Sequence, residues 1–424
     1  MNNELLKRIE KLQRGYLARL DYDIEDYLEL NTRLFESIET RISNEEASEF
    51  HEFITNKNPI TGYQARNFLW ALRSLFYELS FMFKEHEIPP ILLATLFSGK
   101  LTGQVLYSKK SGYAVVIDEA LLMQSGILSK VLVETLVPSS EINGDDNMIT
   151  VEREVIHRRI QNAQYSQSIF NDCLVSYIAQ GSASFSKYTP LSKTPALFLL
   201  YECLTKGINQ FVVAHEIGHI LAKHFESDKY KHLLGELDIS QMDQMHEIPI
   251  FKAKQLMECE ADWRAFEACI DTDPDSEKTQ FRLFGMFAYL YFLGTLSSVL
   301  EMWVIGRERF EFHYGNVMFE KITVKLADHF PSHFRADILC ELLQKSAMAK
   351  SRIESINFIR ESARVTIQCL WENFMLSVNQ DIIDKIPISN AHKKTVDSIN
   401  QSIYFHYNED MTGKDIEIIL GVEG

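Results

Sequence analysis

Turn-forming residues are scarce in this chain, and that limits what it can fold into. It has 18 glycines and 10 prolines among 424 residues. That is about 7% together, against a usual ~12%. An all-β sandwich or barrel needs a turn signal every ~8–12 residues. Too few are present, so a mostly α (α+β) fold is expected, with a helical body and a small antiparallel hairpin or sheet. Hydrophobic residues make up 46% and charged residues 24%, an ordinary globular mixture and not a disordered one.

The net charge of −16 opposes binding to a nucleic-acid backbone. Basic residues form only small clusters: Lys109–Lys110, Arg158–Arg159 and Lys393–Lys394. No nucleic-acid partner is expected. Six cysteines (Cys173, Cys203, Cys259, Cys269, Cys340, Cys369) show no CxxC spacing and read as reduced, packed thiols. The N-terminus, with Glu4, Lys7, Arg8 and Glu10, lacks a signal-peptide core. These features point to the cytoplasm. Leu283–Leu300 is eighteen residues without a charge, at the lower edge of transmembrane length. Its aromatics Phe284, Phe287, Tyr289, Tyr291 and Phe292 suit a helix buried on all sides. No membrane partner is therefore expected, with insertion as the competing reading.

Hydrophobic spacing predicts an amphipathic helix or helical pair over 4–42, a turn at 56–62 and a helix over 63–86. Gln104–Ser108 and Tyr113–Ile117 read as strands around the turn Lys109-Lys110-Ser111-Gly112. Loops are expected at 138–147, 181–194 and 226–249, with helices between and after them. Asp271–Glu277 begins like a calcium loop but lacks its glycine and its final glutamate, so it reads as a loop with a helix N-cap. Three segments follow: an N-terminal helical region (1–100), a core (101–275) and a C-terminal helical region (276–424).

The core carries the chemistry. His215-Glu216-Ile217-Gly218-His219 is an HExxH motif. On a helix, residues i and i+4 share a face, so His215 and His219 can offer two imidazole nitrogens to one Zn²⁺. Glu216 is rotated by about 100°, beside the metal, where it can take a proton from a water. Chance produces this motif ~0.03 times in such a chain, and a buried helix with two satisfied histidines would look the same. The surrounding sequence must decide. A metzincin-type third histidine would fall at Phe225, with glycine at position 222, which is alanine here. His224 is one position early and reads as a structural residue on another face. Downstream, Glu258 and Asp262 are again i and i+4. Glu258 can reach the metal, and Asp262 can accept the outer N–H of a ligating histidine. Glu260 and Cys259 point elsewhere on an ideal helix.

This HExxH…ExxxD pairing resembles that of the gluzincin metallopeptidases. The 220–257 gap is longer than that of thermolysin. The His-Glu-Ile-Gly-His and Glu-Cys-Glu-Ala-Asp runs are more similar to prenyl-protein and HtpX-like endopeptidases, ImmA/IrrE-type repressor-cleaving peptidases and Lit-type phage-exclusion peptidases. The resemblance spans roughly 104–340. It implies a zincin-like active-site helix beside the hairpin, one Zn²⁺ per chain, and cleavage of a specific protein in repressor control or phage defence. It also implies a peptide substrate held along a sheet edge, for which Tyr113, Val115 and Ile117 are the candidate strand. The segment around His329, Pro331, His333 and Arg335 echoes a His-Pro…Arg element of the first group. His333 or Arg335 is then the candidate catalytic donor to the oxyanion. The competing reading is a helical regulatory or interaction protein whose metal site is structural or vestigial.

Overall fold

The structure, a computed structural model, describes residues 3–19, 66–83, 88–98, 101, 103–137, 148–181, 194–224, 253–270, 276–314, 332–346, 348–397 and 399–400. Expectations for 20–42, 56–62, 138–147, 226–249 and 329–331 lie outside these residues. The fold is mostly α with one small sheet, as composition led one to expect.

Helices α1 (Asn3–Arg19) and α2 (Arg66–Met82) precede strands β1 (Ile91–Leu96), β2 (Gly103–Ser108) and β3 (Gly112–Asp118). The hairpin β2–β3 is antiparallel, and β1 pairs parallel with β3, so the spatial order is β1-β3-β2. This corrects two expectations. The sheet is mixed and three-stranded, and β3, carrying Tyr113, Val115 and Ile117, is its central strand and not an edge. Strand β1 follows Pro89–Pro90 as an unbroken apolar run, a pattern that periodicity cannot separate from a buried helix segment.

Strand alternation gives the sheet two buried faces. Ala94, Leu96, Leu106, Ala114 and Val116 pack beneath Leu5 and Ile9 of α1, and the Gln13 amide donates to the Thr95 carbonyl at 2.7 Å. Leu93, Val115 and Ile117 face the main core. Helix α3 (Glu119–Leu136) continues directly from β3, with the Asp118 carboxylate accepting from the Ala120 N–H at 2.9 Å as its N-cap.

The remaining body is helical: α4 (Arg153–Asn162), α5 (Gln164–Gln180), α6 (Pro195–Leu221), α7 (Ala253–Ile270), α8 (Glu277–Ile305), α9 (Arg307–Tyr314), α10 (Ser332–Lys345), α11 (Lys350–Ser377) and α12 (Gln380–Lys385). One hydrophobic core joins α2 to the C-terminal helices and crosses all three sequence segments. Leu283–Leu300 lies inside α8, whose N-cap is Ser276. This helix is long and apolar enough to span a membrane, and 83% of its apolar window is buried inside the protein. It packs on α6, α11 and α10.

Glycines set the closest crossing. A Cβ on Gly207 of α6 would stand 2.0 Å from the Arg282 carbonyl oxygen, and one on Gly285 of α8 would stand 2.5 Å from that of Leu204. Backbone thus meets backbone, and α6 is pressed against the central helix. Replacing Gly285 with Val is expected to destabilise the protein by about 3 kcal/mol through overpacking. Gly15→Ala, on an exposed turn of α1 with open space around it, is expected to stabilise by about 0.5–1 kcal/mol. Denaturant midpoints of the two variants moving the same way would contradict this packing.

Candidate metal centre

Helix α6 starts where Thr194 accepts from the Leu197 N–H and Pro195 occupies the first turn. It runs 27 residues to the HExxH segment at its C-terminal end. Gly218 inside that motif is a packing residue. A Cβ there would come 2.8 Å from the Ala261 carbonyl oxygen on α7. The missing side chain lets α7 lie close enough for its carboxylates to reach both histidines.

The three ligand candidates meet. His215 Nε2 and His219 Nε2 are 3.1 Å apart. Glu258 Oε2 is 3.2 Å from His215 Nε2, and its Oε1 is 3.5 Å from His219 Nε2. A tetrahedral site with metal–ligand bonds of 2.0–2.1 Å has ligand–ligand edges of about 3.3 Å. Both ring nitrogens and the Glu258 carboxylate thus converge at spacings close to such edges, one carboxylate oxygen toward each ring. The residues are nearly closed to solvent: His215 is 8% exposed, Glu216 6%, His219 9%, Glu258 7% and Asp262 2%. Two ring nitrogens and one carboxylate facing inward at these distances form a donor set that suits zinc.

Asp262 Oδ1 is 2.8 Å from His215 Nδ1, which fixes the ring with Nε2 turned to the centre. Burial alone would raise the Asp262 carboxyl; Arg335 and His215 outweigh it and hold it below its ordinary value. Burial alone would push the His215 ring down; Asp262 and Glu258 overcome it and lift the ring to about 10. His219 is pushed down, burial being the largest cause.

Arg335 corrects an expectation. Its Nε and Nη2 grip Asp262 Oδ2 and Oδ1 at 2.6 and 2.5 Å. Both prongs are spent on the carboxylate behind His215, so Arg335 backs the site and is not its oxyanion donor. His333 lies in the first turn of α10, and its side chain is outside the described residues. Val115 and Ile117 are buried in the core and present no surface to a substrate.

Two features escaped the sequence reading. Gly103 of β2 lies against the proposed base: a Cβ there would be 2.6 Å from Glu216 Oε1. The strand beside the HExxH helix is therefore β2, whose glycine opens room for the carboxylate. The second is His224, whose Nδ1 is 2.8 Å from His219 Nδ1. The chain was expected to carry it to another face. Instead α6 ends at Leu221, and Lys223 takes a left-handed conformation (φ 56°) that turns the backbone back.

A second group, His157, Cys369 and Glu372, also brings ligand atoms within 4.8 Å of one another. There Arg153 Nη2 lies 2.6 Å from both Glu372 oxygens, and burial lifts the Cys369 thiol to about 12. A guanidinium already fills the place of a cation, so this is an ion-pair network joining α4 to α11.

The chain matches no protein-family profile, no curated protein and no solved structure.

Elemental analysis of the purified protein is expected to find one zinc per chain, lost in His219→Ala. A proton and a metal compete for His215 Nε2, and Asp262 and Glu258 favour the protonated ring. Zinc uptake by the apoprotein near neutral pH should thus release a proton, and binding should weaken as pH falls. Wild-type protein without zinc would remove the site.

Proposed function

We propose that this chain is a zinc-dependent endopeptidase acting on an extended segment of a specific protein in the cytoplasm. The observation that carries the reading is the convergence of His215, His219 and Glu258 within 3.1–3.5 Å, with Glu216 buried next to His215 on the same helix. A Zn²⁺ held by these three residues supplies a Lewis acid that lowers the pKa of a water to about 7 and polarises a carbonyl.

The chain's own residues do the rest. Asp262 and Arg335 keep His215 in one tautomer and orientation. Glu216 stands where its carboxylate can accept the proton of the attacking water and return it to the departing amine, so that a peptide bond and a water become an acid and an amine. Burial of Glu216 excludes competing solvent.

Strand β2 supports a peptide as substrate. Among the described residues it pairs only with β3, which leaves its other edge for an extended chain. Backbone hydrogen bonds to such an edge are a general way to hold a peptide, and Gly103 at the start of this strand packs against Glu216. The net charge of −16 favours protein over nucleic acid as partner. The six cysteines are free and buried, in keeping with a reducing compartment. The burial of α8 inside the helical body favours a protein that stays outside the membrane.

Glu216→Gln is expected to bind zinc and fold as wild type while losing roughly 10²–10⁴-fold in cleavage rate. Comparing new N-termini in cells expressing the two forms measures this and names the substrate; cleavage by Glu216→Gln at the wild-type rate would refute the mechanism. Gly103→Val should likewise keep its zinc and lose activity, because the new side chain occupies the Glu216 carboxylate's place. A fully active Gly103→Val would separate β2 from the reaction. If the metal is merely structural, neither variant changes the N-termini.

A further inference from the structure

His215 has a carboxylate behind it, and each gluzincin-like feature of the site is accounted for by Glu216, Glu258 and Asp262. His219 has no carboxylate within the motif. What stands behind it is a histidine that the motif does not contain.

We propose that His224, Glu260 and Arg264 form a positioning arm for His219, passing its outer N–H through a second imidazole to a carboxylate anchored by arginine. The proposal rests on the metal reading above, because that reading sets the tautomer. With His219 Nε2 turned to His215 and Glu258 as a ligand, its proton is on Nδ1. His224 Nδ1, at 2.8 Å, then accepts that proton in a hydrogen bond. Two facing lone pairs at this distance would repel, so a hydrogen must lie between them. His224 in turn carries its own proton on Nε2, 3.0 Å from Glu260 Oε2. Arg264 closes the line with Nη2 at 2.8 Å and Nε at 3.2 Å from Glu260 Oε1. Every donor meets an acceptor, head to tail, from the ligand to the guanidinium.

The backbone is built to make this reach. The His224 N–H donates to the His219 carbonyl at 3.2 Å and the Lys223 N–H to that of Ile220 at 3.0 Å. This is the Schellman pattern that ends helices, with lysine where glycine is usual. A non-glycine residue in the left-handed region is strained and is held there by the surrounding contacts. The turn places the side chain of His224 over the last turn of α6, directly behind His219. Glu260 sits two residues from Glu258 on α7 and faces beyond the end of α6, where an ideal helical wheel hides its relevance.

The two ligating rings thus have parallel supports. Asp262 with Arg335 holds His215 directly. Glu260 with Arg264 holds His219 through one intervening ring. Groups that orient a metal-bound histidine typically govern ~10–100-fold in metal affinity.

The test uses the full-length protein and Zn²⁺ in competition with a chelator, with Co²⁺ as a spectroscopic probe. His224→Phe keeps the ring's shape and removes both nitrogens. It is expected to lose ~10–100-fold in Zn²⁺ affinity and to alter the Co²⁺ absorption bands, with little change in apoprotein melting temperature. His224→Gln restores an acceptor for His219 Nδ1–H and should recover most of the loss. Glu260→Ala, at the far end of the arm on a partly buried side chain, should show a smaller loss in the same direction and guards against misfolding of the Phe variant.

Wild-type affinity and spectrum in both His224→Phe and Glu260→Ala would overturn the arm while leaving the metal site standing. A fall in apoprotein stability that accounts for the affinity loss, without rescue by Gln, would make His224 a packing residue. Absence of zinc from the wild-type protein would overturn both readings together.

Discussion

The close approach of α6 and α7 at Gly218 and Ala261 is what the rest of the site depends on. Ionisable groups lose hydration when buried, and each tolerates this only when another group compensates it. Here His215, Glu216, His219, Glu258 and Asp262 are all nearly buried. A side chain at position 218 would prise the two helices apart and leave imidazoles and carboxylates desolvated without each other. The glycine of the motif thus acts through distance: it sets how far α7 can come in.

The support extends outward from that contact into parts of the chain with no motif of their own. Helix α10 carries Arg335 to Asp262 on one side. Two residues on, Asp337 receives the Tyr291 hydroxyl of α8 at 3.3 Å and pairs with Arg360 of α11. The C-terminal region therefore completes the site by holding the helix that supplies its guanidinium. The glycine crossing of α6 on α8 fixes the opposite side. A site held between packed helices keeps its geometry better than one on loops.

The helical class was legible because turn residues are few, and the HExxH spacing placed two histidines and their base on one helix. Glu258 and Asp262 were legible for the same reason, since i and i+4 on a helix must share a face. What stayed hidden depends on tertiary contact. Arg335 reads as a candidate oxyanion donor until α10 is seen to bring it against Asp262. His224 reads as facing away because ideal periodicity assumes that the helix continues, whereas α6 ends and Lys223 reverses the chain. The hairpin was visible in its turn, but β1 was not. Its addition beside β3 moved Tyr113–Ile117 from edge to centre and passed the edge nearest the histidines to β2.

That last reversal carries a physical consequence for how a substrate would meet the site. Strand β3 is hydrogen-bonded on both sides and has no backbone groups to give. Strand β2 has one side left among the described residues, and its first residue is the glycine that accommodates Glu216. The same hairpin thus does two opposed jobs. Its inner strand seals the core with Val115 and Ile117, and its outer strand has no partner on its far side among the described residues. A protein that merely buried a structural metal would gain nothing from leaving a strand edge there, since exposed edges invite unwanted pairing. Under the proposed endopeptidase reading, the chain that pairs with this edge would be the one to be cut.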